Sequence, residues 1–278
     1  MNHTFVTVTG VIVSLAVQSA VAAAKPPTAL LGAHAHNDYY HQRPLFDALE
    51  RGFVSIEADV FLVEGKLLVG HYARELRPER TLESLYLEPL RKHIEANGGR
   101  VFEGDERLTL LVDFKTDGSA AYTALARLLP KYDGVFFDVK DGKLAPRAVD
   151  VVVTGDRPIE KITRDNERRV AIDGRLADLA NDALKEVEEL IPLVSESWTS
   201  HFSWRGDGPM PPAERERLRE IAEQVRAQGR RLRFWATPDD PAVWSELKTA
   251  GVDLIGTDDL EALQNFLLKN GDELRPAR

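Results

Sequence analysis

The stretch Val54-Ser55-Ile56-Glu57-Ala58-Asp59-Val60 sets two carboxylates two residues apart inside an otherwise apolar run. In a strand successive side chains alternate between faces, so Glu57 and Asp59 point the same way, about 6–7 Å apart along the chain. On an exposed sheet edge both would be solvated. Turned into a closed interior, they would repel each other and be costly to desolvate unless a cation or a proton lay between them. An all-oxygen donor set of this kind suits Mg²⁺ or Ca²⁺.

Outward from this run, β-rich segments alternate with helical ones. Strands are expected at residues 29–33, 54–60, 108–114, 149–153, 169–172, 193–196, 232–236 and 253–256. Between them lie helical patterns at 44–51, 82–96, 120–129, 179–190, 212–228, 241–250 and 260–269, several stopping at a glycine where a left-handed cap is needed. Residues 67–69 and 135–139, each beside a turn-like Glu-Gly or Asp-Gly, read as hairpin arms. Alternation of this sort suits a closed barrel or an open doubly wound sheet. Polar residues decide between the two. His34, His36, Glu57, Asp59, Asp113, Lys115, Trp235 and Asp258 sit at the C-terminal ends of different strands, which converge on one face only in a barrel. The expectation is an α/β chain folded as one (β/α)₈ TIM barrel over residues 25–278.

Composition narrows the partners. The formal net charge is −9 and basic residues are interspersed with acids, so no electrostatic footprint for nucleic acid is present. An anionic substrate then requires local positive charge from a metal, a lysine or an arginine. Residues 5–21 are largely apolar and lead into Ala22, Ala23 and Ala24, the layout of a cleaved secretory signal over residues 1–24, with an uncleaved anchor as the alternative. A periplasmic or secreted protein with no membrane span after cleavage is expected. There is no cysteine, hence no disulfide.

Asp113 closes the apolar run Leu110-Leu111-Val112 and can join Glu57 and Asp59 as a third metal ligand, while Lys115, two residues on, can hold a phosphate oxygen or form a strand-end ion pair. His34 and His71 each follow an apolar strand. Cleaving a phosphodiester needs a base for the attacking oxygen and an acid for the departing one, and histidine serves either role near neutral pH. His36 is a substrate contact or itself the catalytic group. Two carboxylates on one strand face do not flank a bond as a glycosidase requires. The alternative is a non-catalytic exported barrel that binds a metal or ligand, which fold alone does not exclude, although a pure binder has no use for an acid and a base flanking a metal.

In order, Gly32-Ala33-His34, Ile56-Glu57-Ala58-Asp59, Gly70-His71 and Val112-Asp113-Phe114-Lys115 resemble the glycerophosphodiester phosphodiesterase and phosphatidylinositol-phospholipase-C-like superfamily. Phe234-Trp235-Ala236 and the run from Gly251 to Asp258 look like that superfamily's last two strands. Within it, His34-Ala35-His36-Asn37-Asp38-Tyr39 and Arg43-Pro44-Leu45-Phe46-Asp47-Ala48-Leu49 resemble the altered inheritance of mitochondria sub-group. Where glycerophosphodiesterases carry His-Arg-Gly this chain has His34-Ala35-His36, and a long insertion after the second histidine is absent; both features, with Asp113-Phe114-Lys115-Thr116, are similar to venom sphingomyelinase D.

The resemblance implies a phosphodiesterase with one divalent cation, Mg²⁺ or Ca²⁺, on Glu57, Asp59 and Asp113, with His34 and His71 as acid and base. Lys115, His36, Trp235 and Asp258 are the expected substrate contacts. The substrate is expected to be a glycerophosphodiester or a phospholipid headgroup. Attack by a hydroxyl of the substrate itself, as in a sphingomyelinase D-like lyase, would instead release a cyclic phosphate.

Overall fold

A computed structural model of the chain describes residues 25–140, 143–180 and 190–269. The strands are β1 Leu30–Ala35, β2 Phe53–Val63, β3 Lys66–Val69, β4 Leu108–Phe114, β5 Asp138–Lys140, β6 Lys143–Ala145, β7 Val149–Gly155, β8 Ala171–Gly174, β9 Leu193–Ser197, β10 Arg231–Trp235 and β11 Leu254–Thr257. Hydrogen bonding runs β1-β11-β10-β9-β8-β7-β4-β2, and β1 also pairs with β2. The sheet is thereby a closed ring of eight parallel strands, the (β/α)₈ barrel expected from the strand-end residues. Closure leaves none of these eight with an unpaired edge.

The strands are buried on both faces. In β2 every residue from Phe53 to Val60 is buried: Ile56, Ala58 and Val60 belong to the apolar core, while Ser55, Glu57 and Asp59 alternate with them on the other face. That period of two separates a hydrocarbon layer under the helices from a polar barrel interior. The helix Pro212–Arg226 shows the complementary pattern, burying Leu218, Ile221, Ala222 and Val225 at the i, i+3, i+4, i+7 spacing. Each such side chain contributes roughly 1.5–3 kcal/mol by leaving water.

Gly251 ends the helix Pro241–Ala250 at φ 82°, the left-handed cap anticipated there. Residues 66–69 form the hairpin arm expected after Gly65, pairing antiparallel with the last four residues of β2. Residues 135–139 divide instead: Phe136 bridges to Val149, and a separate hairpin, β5 with β6, follows. The helix expected at 179–190 lies mostly outside the described residues, as does the proposed signal at 1–24. Short helices at Ile159–Arg164 and Trp198–His201 are too brief to show a periodic pattern in the sequence.

Candidate active site

Strand register builds the site. Pairing of β2 with β4 sets Asp59 beside Asp113, and pairing of β4 with β7 sets Asp113 beside Thr154. Gly155, at φ 73°, follows Thr154, and any Cβ there would strike the Asp113 carboxylate, so the glycine leaves the space that this acid fills. One carboxylate oxygen from each of Glu57, Asp59 and Asp113 lies within 4.8 Å of the other two. Oδ1 of Asp59 and Oδ1 of Asp113 are buried without a hydrogen-bond partner. Burial, then the neighbouring charges of Glu57 and Asp113, push the Asp59 carboxyl up to about 7; Asp113 is also raised, chiefly by burial. Crowded, under-donated carboxylates of this kind fit a hard divalent cation.

Two cations of the chain reach the cluster. Lys115 Nζ lies 2.9 Å from Asp59 Oδ2 and 2.7 Å from Asp113 Oδ2. The buried Arg233 guanidinium lies 2.9 Å from Glu57 Oε2. Burial opposes charge on Glu57, yet Arg233 and the hydrogen bond with His34 outweigh it and hold the carboxyl well below its ordinary range. Tyr39 donates its hydroxyl to Asp59 Oδ2 at 2.9 Å.

The two neighbouring histidines differ. β1 continues through His34 to Ala35, so His34 lies inside the barrel with no exposed surface. Its Nδ1 is 2.7 Å from Ser55 Oγ, and its Nε2 is 3.0 Å from both Glu57 Oε2 and the Arg233 guanidinium. Burial, followed by the charge of Arg233, lowers its pKa to about 4, so it is neutral at pH 7. His34 therefore does not close its strand at the barrel mouth, as its place after an apolar run suggested. His36, the first residue beyond β1, is half-buried and has Nδ1 2.8 Å from Asp258 Oδ1. Burial lowers its pKa, but the Asp258 hydrogen bond and the Glu57 charge raise it further, for a net upward shift.

His71 follows β3, and the preceding Gly70 N–H donates to the Asp59 carbonyl at 3.1 Å. Its own N–H donates to Glu75 Oε2 at 3.1 Å, and its ring packs edge-on to Tyr72, 4.3 Å between centroids. Trp235 ends β10 with 43% of its surface exposed. The expected residues thus form a carboxylate–lysine cluster, a His36–Asp258 pair, a His71 loop anchored on β2, and Trp235 at the rim. No direct contact between His71, Trp235 and the other groups is recorded among the described residues.

Sequence reasoning missed Arg233, Ser55 and Tyr39. The signal for Arg233 was present in Arg231-Leu232-Arg233: the same two-residue alternation that marked Glu57 and Asp59 aims both arginines inward. A hollow of about 460 Å³ lined by Tyr122, Glu160, Lys161, Arg164 and Asp165 lies among outer helices, away from the strand ends.

A closed parallel barrel with an acidic cluster and a histidine–aspartate pair at its C-terminal face defines the class: a glycerophosphodiesterase-like TIM barrel. Residues 27–173 match the family described as AIM6-like phosphodiesterase domain, and the chain belongs to that family. Residues 231–261 match the glycerophosphoryl diester phosphodiesterase family. Altered inheritance of mitochondria protein 6 of Eremothecium gossypii is 31% identical over 283 residues, covering 90% of this chain and 73% of the relative. A glycerophosphodiester phosphodiesterase from Agrobacterium tumefaciens superposes with a TM-score of 0.51 at 17% identity, over 85% of this chain and 98% of that one. An Oleispira antarctica phosphodiesterase, solved with its product sn-glycerol-3-phosphate, does so at 0.50 and 14% identity, over 86% and 98%. At these identities the two structures establish the shared fold.

Proposed function

We propose that the chain is a metal-dependent phosphoric diester hydrolase acting on a glycerophosphodiester or a phospholipid headgroup. The observation that carries this reading is the trio Glu57, Asp59 and Asp113, with bare buried oxygens on Asp59 and Asp113, on the same barrel face as the His36–Asp258 pair. The product bound by the Oleispira antarctica phosphodiesterase is consistent with this substrate class.

A divalent ion, Mg²⁺ or Ca²⁺, held by Glu57, Asp59 and Asp113 would neutralise phosphate charge as a Lewis acid. Arg233 and His34 fix Glu57 from behind, so its carboxylate is oriented before substrate arrives. Lys115 supplies a second positive charge at the Asp59–Asp113 edge, where a phosphate oxygen can take it up. With its Nδ1–H donating to Asp258, His36 keeps Nε2 as a proton acceptor, and we assign it as the base, a role the sequence alone gave to His34 or His71, with His36 expected chiefly as a substrate contact. His71 is assigned as the acid that protonates the leaving oxygen. Trp235 offers the headgroup an apolar face at the rim.

We read residues 1–24 as an export signal, which places the enzyme in the periplasm or outside the cell. Among the described residues no helix is long and apolar enough to cross a membrane.

The decisive assay is turnover of glycerophosphodiesters, lysophospholipids and sphingomyelin by the mature chain, before and after chelation. Activity is expected with Mg²⁺ or Ca²⁺, lost in EDTA and restored by added metal. Undiminished turnover in EDTA would sink the metal assignment, and no turnover with either ion would sink the enzyme reading.

A further inference from the structure

A groove of about 440 Å³ opens beside the carboxylate cluster, lined in part by Tyr39, Tyr40, Glu75 and three arginines, Arg74, Arg77 and Arg80. It shares a wall with the site. Tyr39 lines the groove and its hydroxyl meets Asp59, and Gly70, another lining residue, bonds through its N–H to the Asp59 carbonyl. The volume falls in the range of small-ligand clefts, about 300–1,000 Å³.

Its charge runs against that of the chain. The whole protein is at −9, yet here three guanidinium groups face one carboxylate. That carboxylate, Glu75, is hydrogen-bonded to the Tyr40 hydroxyl and the His71 and Tyr72 N–H groups, at 2.9, 3.1 and 3.2 Å, and feels the charge of Arg74 without an ion pair to it. Arg80 donates to the Tyr39 carbonyl at 2.6 Å, and Arg74 lies 4.2 Å over the Tyr72 ring. Among the described residues none of the three forms an ion pair with a carboxylate. Some arginines elsewhere on the surface pair with carboxylates, Arg43 with Asp47 and Glu50, Arg91 with Glu88 and Glu95, and Arg215 with Glu246, while Arg147, Arg205 and Arg226 meet backbone carbonyls; the groove differs in gathering three around one space. An acidic protein that leaves three arginines without carboxylate partners around one concave space next to its reaction centre has built an anion site. The planar fork of arginine matches the oxygens of phosphate, and a phosphomonoester dianion would balance the groove's net charge.

We propose that this groove recognises a phosphomonoester on the substrate's alcohol headgroup, in addition to the phosphodiester that is cleaved, so that headgroups bearing their own phosphate are preferred. The proposal rests on the phosphodiesterase reading for its scissile bond, but the groove can be judged separately. On this reading the scissile phosphate is held at Glu57, Asp59 and Asp113, and the headgroup reaches past Tyr39, the residue shared by the groove and the cluster.

Binding tests the groove alone. The mature protein, freed of metal by a chelating resin, is titrated calorimetrically with inositol 4-phosphate and with inositol. The phosphate is expected to bind, inositol not; the Arg74→Ala/Arg77→Ala double variant should bind the phosphate at least about tenfold more weakly, and Asp59→Asn should still bind it. Both replaced arginines are exposed, so the fold should survive, and circular dichroism checks this. Equal binding of the two probes by the wild type, or equal binding of the phosphate by a folded double variant, would overturn the proposal. Turnover adds a second arm: wild type should favour glycerophosphoinositol 4-phosphate over glycerophosphoinositol about tenfold in kcat/KM, and the preference should collapse in the double variant. Equal wild-type rates overturn the groove proposal and leave the phosphodiesterase reading standing. Turnover of neither substrate with Mg²⁺ or Ca²⁺ overturns that reading, while the titration still decides the groove.

Discussion

The two halves of the barrel mouth use the same side chains in different proportions. On the half made by β2 and β4, three carboxylates, Glu57, Asp59 and Asp113, face two cations, Lys115 and Arg233. On the half made by β7, β8 and the loop after β8, Asp173 and Asp178 face Arg157 and Arg175: Asp173 Oδ2 accepts from Thr154 and Arg175, both at 2.8 Å, and Arg157 pairs with Asp178 at 2.8 Å. Asp173, like Asp59 and Asp113, keeps one buried oxygen without a donor. A bare oxygen therefore does not by itself mark a site. The excess of negative charge does, because it is what a bound cation relieves. The first half is built to take a charge from outside, whereas the second is neutral in itself and acts as a brace.

The largest effect should fall where that charged half meets the half-buried His36. His36→Ala is expected to lower turnover by roughly 10²–10⁴-fold with the fold intact, while His34→Ala, which empties a buried position behind Glu57, should cost stability of about 1–3 kcal/mol and less turnover. The pH profile sharpens the contrast. The pKa of His36 is raised, so a base at this position is protonated and idle at low pH, and kcat/KM climbs as pH rises through that value. Asp258→Asn removes the carboxylate that favours the imidazolium, so the acid limb should move to lower pH. A limb that stays in place, or a folded His34→Ala that is dead while His36→Ala is normal, would return the role to His34.

The barrel and the acidic cluster were legible in the sequence because both rest on a period of two. Alternation in Ser55-Ile56-Glu57-Ala58-Asp59 and Leu111-Val112-Asp113 states which side chains share a face, and convergence of strand ends in a barrel does the rest. His34 and His36 share that period, so both face inward, and periodicity cannot say which of two such residues lies deeper. Depth depends on where β1 ends, and strand boundaries leave only a weak trace in the sequence. The partnership of Arg233 with Glu57 joins residues 176 positions apart, from strands on either side of the β1–β2 closure, and no local pattern encodes it. The groove arginines follow β3, Arg74 in a single 3-10 turn at Ala73–Glu75 and Arg77 and Arg80 beyond it, where no period runs long enough to read.

Arg233 and Arg175 are the arginines of the two halves, and removing each tests how they differ. Arg233 is buried and holds a buried carboxylate, so Arg233→Gln strands Glu57 as an uncompensated charge and should destabilise the fold by about 3–5 kcal/mol. Urea midpoints give the measure, and Glu57→Gln added to Arg233→Gln should recover part of the loss. A single variant that unfolds with the wild type would show that the pair is not under the strain that burial implies.

Arg175 should matter least, and for a stated reason. Its side chain is partly exposed, and when it is removed Asp173 keeps its hydrogen bond from Thr154 while water can reach the vacated position. Arg157 still donates to the Asp173 carbonyl at 2.6 Å and still pairs with Asp178. The loss is a charge-assisted hydrogen bond to Asp173 together with bonds to the Thr154 hydroxyl and the Gly174 carbonyl, all at a partly solvated site, so Arg175→Ala should lower stability by about 1–2 kcal/mol. Turnover should stay within about threefold of wild type, and calorimetric metal affinity should not change, because no carboxylate of the trio contacts Arg175. A folded Arg175→Ala with lost turnover or weakened metal binding would mean that the neutral half belongs to the reaction centre, and the division of the mouth into a charged site and a structural brace would have to be abandoned.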